Sequence, residues 1–327
     1  MNLGIIGTGR MGKKRAKAIN QLNSATVKWI CSRKKGRGLK FAEKYNIKKV
    51  ITDWKKGVQD QDIQGVVITA PNHLHDIMAV KALSNDISVL IEYPLAINVK
   101  IAEKIIGAKR KSGGKLHVGL THRLSARHLA VKDNLKKMGN TGSCTILQCS
   151  GKKISRWFDD KKKVGNVIIG SNYHYIDKLI DWFGEVKWVN ADIYEELNSE
   201  QKNNGELTDK VNKDIGSVML KFKKGLTAYI IYARGWPEPG LGFDCKIIGD
   251  KGYIVENNGQ VERWSAEEKE ELIYGEDNSI LKDTELFIDL IRGGYKDYYN
   301  FEDGLYGVKV AEAAYRSAVV GERMLMS

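Results

Sequence analysis

The sequence predicts an α/β protein whose first part is a doubly wound parallel sheet and whose second part is an α+β domain with a large, mostly antiparallel open sheet. Apolar strands alternate with helical patterns from the start of the chain to about residue 120, as they do in βαβ units. Beyond that point, strands follow one another across short turns such as Lys223-Lys224-Gly225, which indicates hairpins. We therefore expect two domains, over residues 1–120 and 121–327.

The first strand, Leu3 to Ile6, runs directly into the glycine-rich turn Gly7-Thr8-Gly9-Arg10-Met11-Gly12. Gly7 permits a tight turn, Gly9 lets the backbone approach a pyrophosphate, and Gly12 lets the next helix pack closely on the strand. That helix is predicted over Arg10 to Leu22, and its N-terminus offers unpaired N–H groups to phosphate. A turn of this kind between a strand and a helix is typical of the Rossmann fold. The predicted cofactor-binding residues in the turn are Gly7, Thr8, Gly9, Arg10, Met11 and Gly12.

The second strand ends just before Ser32 and Arg33, at the position that contacts the adenosine ribose in dinucleotide-binding folds. An acidic residue there accepts hydrogen bonds from both ribose hydroxyls and repels a 2′-phosphate, so it favours NAD. A hydroxyl and a guanidinium suit a phosphate instead, because arginine donates two parallel hydrogen bonds to it. The sequence therefore favours NADP(H), with NAD(H) as a possible cofactor. The alternative is that Lys34, Lys35 and Arg37 form a solvated loop and only Ser32 contacts the ribose.

Two further strand ends complete the predicted cofactor site. Strand Gly65–Thr69 is followed by the turn Ala70-Pro71-Asn72, and strand Ser88–Ile91 is followed by Glu92-Tyr93. Ligands of open α/β sheets bind at the carboxyl ends of the strands, so we expect Pro71 and Asn72 to border the nicotinamide ribose. The peptide bond before Pro94 is a candidate for the cis form, and the sequence leaves cis and trans open. The predicted cofactor-binding residues here are Ala70, Pro71, Asn72, His75, Glu92 and Tyr93. Helices over His75–Leu83 and Lys100–Lys111 and a strand over Leu116–Gly119 complete the domain.

The second domain is predicted from strands separated by turns and from four helical patterns. The strands are Cys144–Cys149, Val186–Ile193, Ile215–Phe222, Leu226–Ala233, Cys245–Ile248 and Tyr253–Val255. The helices are Ala126–Lys137, Asn172–Trp182, Asp283–Ile291 and Phe301–Met324. Helices on one face of such a sheet leave the other face open, so we expect a homodimer or homotetramer that pairs through this sheet.

The net charge of +13 is unevenly distributed along the chain. Residues 1–120 hold 23 Lys and Arg against 8 Asp and Glu, whereas residues 121–327 hold 30 against 32. A basic first half attracts anions such as a phosphorylated cofactor. Nucleic-acid binding would require aromatic residues among the basic ones or a recognition helix, and the lysine-rich stretches have neither. We therefore expect a small-molecule substrate and no nucleic-acid partner.

The cysteines and the hydropathy pattern predict a cytoplasmic protein. The four cysteines form no CxxC pair and have no histidine at metal-ligand spacing, which predicts reduced thiols and no metal site. No apolar run approaches the roughly 18 residues of a membrane span. The first strand begins almost at residue 1, so no signal peptide and no membrane partner are expected.

Five motifs occur in one order along the chain: Gly7–Gly12, Thr69–His75, Glu92–Pro94, Gly165–Asp177 and Glu302–Gly304. Together they resemble the glucose-fructose oxidoreductase/inositol dehydrogenase (Gfo/Idh/MocA) family over essentially the whole chain. The resemblance implies an N-terminal Rossmann domain and a C-terminal α/β domain with a large open sheet. It also implies hydride transfer between a nicotinamide and a bound substrate, often a sugar.

The sequence departs from this family at two positions. Most sugar-oxidising members read Glu-Lys-Pro, and the lysine positions and polarises the reacting oxygen; here that position is Tyr93. The biliverdin reductase branch of the family also has tyrosine there. The family's helix motif of Asp, Gly, His and Asp maps onto Gly170, Asn172, His174 and Asp177, so the first acidic residue is absent while His174 remains.

The resemblance implies that His174 is a general acid/base and that Tyr93 polarises the reacting group. Histidine titrates near neutrality and a positioned tyrosine donates a hydrogen bond, so the two residues form a workable pair. The alternatives are that His174 is a helix histidine with structural hydrogen bonds and that Tyr93 packs under the nicotinamide.

Substrate contacts are expected from two segments. His122-Arg123 follows the sixth strand, and Arg123 suits an anionic or hydroxylated substrate. Asp177 lies one turn beyond His174 on the same helix, where it reaches the substrate or orients the histidine. Asn172 completes the predicted substrate set.

We therefore predict an NAD(P)-dependent oxidoreductase that acts on a small polar substrate, most simply a sugar or cyclitol derivative. Tyr93 and the missing acid at Gly170 leave two alternatives open. One is a reductase of a conjugated or imine substrate that resembles biliverdin reductase. The other is a non-catalytic NADP-binding sensor.

Overall fold

The chain forms two compact units. The computed structural model describes residues 1–150, 160–201, 207–235, 242–257, 259–272, 274–294 and 301–326, and the elements below lie in these ranges. Unit 1 comprises Met1–Leu124 and Asn278–Val308, and unit 2 comprises Ser125–Asp277 and Lys309–Ser327. Compared with the predicted boundary at residue 120, unit 1 also takes in a later segment of the chain.

The secondary structure consists of fifteen strands and ten α-helices within the described ranges. The strands are β1 Asn2–Ile6, β2 Thr26–Cys31, β3 Lys49–Ile51, β4 Gly65–Ile68, β5 Ser88–Glu92, β6 Leu116–Gly119, β7 Thr141–Ser150, β8 Val186–Gln201, β9 Leu207–Phe222, β10 Thr227–Arg234, β11 Gly242–Gly249, β12 Gly252–Asn257, β13 Gln260–Trp264, β14 Lys269–Glu271 and β15 Met324–Leu325. The helices are α1 Arg10–Gln21, α2 Lys35–Tyr45, α3 Trp54–Gly57, α4 His75–Leu83, α5 Val99–Arg110, α6 Ala126–Asn134, α7 Lys161–Val164, α8 Tyr173–Phe183, α9 Ser279–Arg292 and α10 Phe301–Val320.

Unit 1 contains a six-stranded parallel sheet in the order β3-β2-β1-β4-β5-β6. All residues of β4, β5 and β6 are buried, as expected for apolar strands covered on both faces. The register pairs Ile6 with both Cys31 and Ile68, and Glu92 with Gly119. The carboxyl ends of these strands therefore lie along one edge, and the segments that follow them are neighbours there.

Helix α9 is a structural part of unit 1, although its sequence lies far from the other elements. Phe287 and Ile288 are completely buried in one core with Leu3, Ile19 and Leu90. Gly65 at the start of β4 leaves the space that Phe287 and Leu3 fill, because a Cβ there would lie 2.9 Å from Leu3 and 3.1 Å from Phe287. The α9 segment therefore packs against the nucleotide-binding sheet instead of belonging to the second unit.

Unit 2 contains a nine-stranded sheet in the order β14-β13-β12-β11-β7-β10-β9-β8-β15, antiparallel except for the β7–β10 pair. Helix α8 packs on one face through edge-to-face contact of Phe183 with Phe222 and stacking of Tyr175 on Phe243. The predicted fold class is thereby confirmed: a parallel Rossmann sheet and a second, mostly antiparallel sheet.

The other face of this sheet carries apolar side chains that are exposed. Along β10 the burial alternates, so that Ala228 and Ile230 are buried while Tyr229 and Ile231 are 40% and 44% exposed. Ile248 on β11 is 56% exposed. Period-two alternation along β10 therefore places apolar side chains on both faces of the strand.

Membrane-spanning helices and metal-binding clusters are both absent from the part of the chain that the structure describes. No helix there combines the length and the apolar character that a membrane crossing requires. Nor do three or more His, Cys, Asp or Glu side chains gather there into a group that could hold a metal ion.

Candidate active site

The glycine turn between β1 and α1 has the geometry of a phosphate-binding turn. Gly7 adopts φ +115°, and its N–H donates to the Cys31 carbonyl at 3.1 Å. A Cβ on Gly7 would lie 2.6 Å from Thr69 Oγ1, and one on Gly12 would lie 2.2 Å from the Gly7 carbonyl oxygen. In contrast, a Cβ on Gly9 would meet no atom of the described residues within 4 Å. Gly7 and Gly12 therefore close the turn on itself, and Gly9 faces open space.

The N-terminus of α1 fits an anionic ligand. Gly9 is its N-cap and has no side chain that could accept from the first N–H groups of the helix. The first turn contains Arg10 and Lys13 and no acidic residue. The free N–H groups, the helix dipole and the open space over Gly9 suit the pyrophosphate of a dinucleotide cofactor.

The end of β2 opens into a basic cavity. Ser32 is buried, and its hydroxyl donates to the Lys34 carbonyl at 3.1 Å while its oxygen keeps acceptor capacity. A cavity of about 460 Å³ adjoins this point, lined by Lys34, Gly36, Arg37 and Lys40 on the first turns of α2. Arg33 is exposed beside it. The first lining residue, Lys34, directly follows Ser32 and Arg33, the residues predicted to recognise the adenosine ribose.

His75 joins two of the segments that were predicted to contact the cofactor. Its ring is fully buried, with Nδ1 3.1 Å from the Pro94 carbonyl oxygen and Nε2 3.1 Å from the Ala70 carbonyl oxygen. Burial lowers the pKa of His75, although the two carbonyl contacts act in the opposite direction. His75 therefore fixes the turn after β4 against the segment after β5, and a direct contact with the cofactor stays a prediction.

Glu92, at the end of β5, is turned into the interior of unit 1. Its Oε1 accepts a hydrogen bond from Arg15 Nε at 2.6 Å, and Arg15 Nη1 lies 2.6 Å from Asp283 Oδ2. Thr284 Oγ1 accepts from Arg15 Nη1 at 2.9 Å, and His117 Nε2 lies 2.9 Å from Asp283 Oδ1. Arg15, His117 and Asp283 are completely buried. A cofactor contact through Glu92 stays a prediction, but its carboxylate has a defined internal partner.

Burial and charge act against each other in this cluster. Burial would raise the pKa of Asp283, but the charge of Arg15 and the hydrogen bonds from Arg15 and His117 outweigh it and hold that pKa below its ordinary value. Burial alone would lower the pKa of Arg15, whereas Glu92 and Asp283 together raise it. For Glu92 burial dominates, so its pKa is raised despite Arg15. The charged forms of Arg15 and Asp283 are therefore favoured most strongly in this cluster.

Tyr93 follows Glu92 and precedes a cis peptide bond to Pro94, the isomer that the sequence left open. Its hydroxyl lies 3.4 Å from His122 Nε2, and the two rings meet edge to face with centroids 5.8 Å apart. Arg123, the neighbour of His122, is buried, and its Nη1 lies 3.3 Å from Asp303 Oδ2. Part of the charge of Arg123 is therefore balanced within unit 1, and its role toward the substrate stays a prediction.

In unit 2, the predicted substrate residues lie at the beginning of α8. A single π-helical turn, Ile168–Asn172, leads into the helix, and such turns are frequent at functional sites. Asn172 is 1% exposed, and its Nδ2 has no hydrogen-bond partner among the described residues. His174 is half-buried against the Tyr175 ring, and Asp177 is buried. Asn172, His174 and Asp177 thus occupy the turn and first coils of one helix.

A steric constraint explains why position 170 is a glycine. A Cβ at this position would lie 2.0 Å from Val164 Cγ1. Val164 is the last residue of α7 and is buried. The acidic residue that the family motif carries here therefore does not fit beside Val164.

Sequence reasoning missed the buried group that supports the site. Arg15, His117 and Asp283 were not among the predicted residues, although one signal was available. Arg15 lies on the same helix face as the buried Ala16 and Ile19, and an arginine in an apolar stripe requires an internal partner. The partner itself, 268 residues away in α9, was not identifiable from spacing.

The glycine turn, the free helix N-terminus and the parallel sheet define a dinucleotide-binding domain. The second sheet and α8 form a separate unit. The profile of the Gfo/Idh/MocA oxidoreductase family, NAD-binding Rossmann fold, matches residues 1–120. The C-terminal alpha/beta domain of the same family matches residues 135–324. The chain belongs to this family and is an NAD(P)-dependent dehydrogenase or reductase.

Individual relatives are distant in sequence and close in fold. The chain is 24% identical over 344 residues to an uncharacterised oxidoreductase of Bacillus subtilis, covering 97% of this chain and 94% of that one. It is 23% identical to the myo-inositol 2-dehydrogenase of Thermotoga maritima, covering 79% and 75%.

Two solved structures share the fold over nearly their whole length. Biliverdin reductase from Synechocystis, solved with biliverdin and NADP+, superposes with a TM-score of 0.85 at 24% identity, covering 97% of this chain and 99% of that one. Levoglucosan dehydrogenase, solved with NADH and L-sorbose, superposes with a TM-score of 0.86 at 20% identity, covering 100% and 99%. At these identities the likeness concerns the fold.

Proposed function

We propose that this enzyme transfers a hydride between NADP(H) and a small polar substrate, a sugar or cyclitol derivative. The observation that carries the cofactor preference is the basic cavity of about 460 Å³ beside Ser32 and Arg33, lined by Lys34, Arg37 and Lys40. A 2′-phosphate in this cavity would meet cationic side chains and the positive end of α2. A carboxylate, which would favour NAD(H), is absent from positions 32–40.

When it is bound, the nicotinamide cofactor supplies or accepts the hydride. The turn from Gly7 to Gly12 would hold its pyrophosphate, and the segment from Ala70 to Asn72 would border its nicotinamide ribose. Tyr93 would polarise the reacting oxygen or nitrogen by a hydrogen bond from its hydroxyl. His174 would move the proton, because imidazole titrates near neutrality.

The substrate class rests on the residues of α8 and on the relatives. Asn172 and Asp177 place an amide and a carboxylate next to His174 along the start of one helix. Polar groups of this kind bind hydroxyls, and the unpartnered Nδ2 of Asn172 is a donor that a substrate hydroxyl would satisfy. Inositol 2-dehydrogenases and levoglucosan dehydrogenase are among the similar proteins. These observations support a hydroxylated substrate, with Arg123 as a further contact.

A second candidate is the reduction of a conjugated or imine group. Tyr93 takes the place of a lysine, as in the biliverdin reductase variant Glu-Tyr-Pro, and Val164 fills the space of an acid at Gly170. A conjugated or imine substrate has no alcohol oxygen for a lysine and an acid to surround. The loss of both residues therefore favours such a substrate. NADPH-dependent loss of biliverdin absorbance without NADP+-dependent oxidation of myo-inositol would select this candidate over the first.

The cofactor preference is tested by titrating the purified protein with NADPH and NADH while nicotinamide fluorescence is followed. We expect NADPH to bind about tenfold to hundredfold more tightly, because hydrogen bonds to charged groups contribute about 1.5–3 kcal/mol. The substitution Arg33→Asp should remove or reverse this difference.

The matched control is Arg110→Asp, which changes the charge equally at an exposed position on α5. It should leave both affinities within about twofold, a difference of about 0.4 kcal/mol. Equal binding of the two cofactors by the natural protein would contradict the preference for NADP(H).

We also infer that the enzyme is a cytoplasmic homodimer or homotetramer that pairs through the exposed face of the unit 2 sheet. Tyr229 and Ile231 on β10, Ile248 on β11 and Tyr253 on β12 are each at least 40% exposed, and β7 lies between β10 and β11. Exposed apolar side chains on the strands of one sheet are typical of a subunit interface. The cysteines are free thiols, which supports a reducing compartment.

A further inference from the structure

The feature that carries a further inference is the pair formed by Tyr93 and His122 in unit 1. Tyr93 Oη and His122 Nε2 are 3.4 Å apart, and the ring planes are inclined at 80°. This distance is longer than an average hydrogen bond, but catalytic hydrogen bonds are commonly long before substrate binds and shorten in the complex. The two residues follow the neighbouring parallel strands β5 and β6, which is why a separation of 29 residues brings them together.

The chain neighbours of both residues are buried or bonded to buried groups. Tyr93 lies between Glu92, which is bonded to Arg15, and Pro94, whose carbonyl oxygen contacts His75. His122 is the exposed residue of the short 3₁₀ turn Thr121–Leu124, whose other three members are buried. The backbones are thus fixed while the His122 ring remains open to solvent.

We propose that His122 is the proton partner of Tyr93, an inference that rests on the proposed contact of Tyr93 with the reacting group and that gives the proton transfer to Tyr93 and His122 instead of His174. As a hydride adds to the electrophilic atom of the substrate, the neighbouring oxygen or nitrogen takes the proton from Tyr93 Oη. The tyrosine oxygen then takes a proton from His122 Nε2, and His122 regains one from water. In the oxidative direction the same proton moves from the substrate hydroxyl through Tyr93 and His122 to solvent.

The chemical reason is that neither ring alone both contacts the substrate and exchanges protons near neutral pH. A phenol ordinarily titrates near pH 10 and an imidazole near pH 6.5, so a tyrosine in contact with a histidine gains a group that exchanges protons near neutrality. A lysine at position 93, as in the sugar-oxidising relatives that the motif resembles, brings its own cationic donor. A tyrosine there needs a second residue to restore its proton, and His122 is in contact with it.

The contact itself is tested without substrate. The ring nitrogens of the six histidines are observed by ¹⁵N NMR in the purified full-length protein, and His122→Ala identifies the signals of His122. Tyr93→Phe should shift the Nε2 signal of His122, because its hydrogen-bond partner is removed. Tyr45→Phe, which removes a hydroxyl from the end of α2, should leave the signal in place. An unchanged His122 signal in Tyr93→Phe would overturn the proposal.

The proton transfer is tested by turnover, with NADPH-dependent reduction of biliverdin and NADP+-dependent oxidation of myo-inositol as the two probes. His122→Ala should lower kcat by about tenfold to a hundredfold, within the range of general acid–base catalysis, and leave KM within about twofold. His122→Gln should be equally slow, since an amide forms a hydrogen bond but transfers no proton. Added imidazole should restore part of the activity of His122→Ala.

A double-mutant comparison separates this proposal from the proposed function. If Tyr93→Phe turns over as fast as the natural protein, the role of Tyr93 in the proposed function fails. If Tyr93→Phe is slow and His122→Ala is fast, the proposed function stands and the His122 proposal fails. The expected result is that His122→Ala has no further effect in the Tyr93→Phe background.

Discussion

Arg15 Nε donates a hydrogen bond to Glu92 Oε1 at 2.6 Å, with both side chains buried. Arg15 is in the helix that follows the glycine turn, and Glu92 is the residue before Tyr93. The helix whose N-terminus faces the expected pyrophosphate is therefore bonded directly to the strand end that carries the proposed polarising residue. Asp283 of α9 binds the same guanidinium and completes the group.

Replacement of Arg15 should destabilise unit 1 strongly. Arg15→Leu leaves the carboxylates of Glu92 and Asp283 buried without their cation, and breaking such a pair costs about 3–5 kcal/mol. Denaturant unfolding followed by tryptophan fluorescence measures the free energy of unfolding. Arg110→Leu, at an exposed position, is the control and should change it by less than about 0.5 kcal/mol. A cost below about 1 kcal/mol for Arg15→Leu would contradict the ion group described here.

The stability should fall as the pH drops below about 6.5, the ordinary pKa of histidine. Burial lowers the pKa of both His75 and His128 in the folded protein. Below pH 6.5 the unfolded chain therefore binds protons that the folded chain does not, which favours unfolding by up to about 1.4 kcal/mol per pH unit for each residue. The loss continues until the folded-state pKa is reached.

The measurement is the free energy of unfolding at a series of pH values between about 7 and 5. His75→Gln should reduce the slope in this window, because glutamine does not titrate. An unchanged slope in His75→Gln would exclude His75 as a contributor.

Substitutions at two glycines of the turn should affect cofactor binding and stability differently. Gly9→Ala places a methyl group in open space, so stability should change by less than about 1 kcal/mol, the helix-propensity scale, while NADPH affinity falls at least about tenfold through a clash with the pyrophosphate. Gly12→Ala places a Cβ 2.2 Å from the Gly7 carbonyl oxygen and should cost about 1–3 kcal/mol of stability. Thermal unfolding and NADPH titration of both variants test the pair. Tight NADPH binding by Gly9→Ala would show that no ligand approaches this position.

Restoring the family's acid at position 170 should require a second change. Gly170→Asp alone forces a side chain against Val164 and should cost about 1–3 kcal/mol, as overpacking does. Val164→Ala in the same chain removes the Cγ1 atom that lies 2.0 Å from the new Cβ and should recover part of this loss. Thermal unfolding of the single and double variants is compared. Equal stability of Gly170→Asp and the natural protein would refute the steric explanation.

A charge on the exposed sheet face should dissociate the oligomer. Ile231→Lys places an ammonium group in the centre of this face, on β10, where desolvation on association is costly. Light scattering after size exclusion gives the mass of the particle. Ile77→Lys, at an apolar position on α4 that is also 44% exposed, is the control and should leave the mass unchanged. A monomeric natural protein would contradict the proposed interface.

The sequence predicted the presence and order of most long elements because their signals are local, although only Val186–Ile193 of β8 and Ile215–Phe222 of β9 were predicted. The bounds of α4, His75–Leu83, and of β6, Leu116–Gly119, were predicted to the residue. The short strands β3, β14 and β15 were missed, because such short segments show no periodicity and pair only when a longer neighbour is present. Trp54–Gly57 was missed for the same reason, as a single helical turn. The five-residue strand β13 was missed as well.

What the sequence by itself determined is the glycine turn, the order of strands and helices, and the motifs that identify the family, since each depends on residues close together in the chain. The tertiary structure decided that α9 packs in unit 1, that Asp283 and Glu92 share Arg15, and that Tyr93 contacts His122. These relationships join residues 29 to 268 positions apart. Sequence spacing carries no information on such pairs, because parallel strands place distant segments at one edge and burial alone selects the partner of a charged side chain.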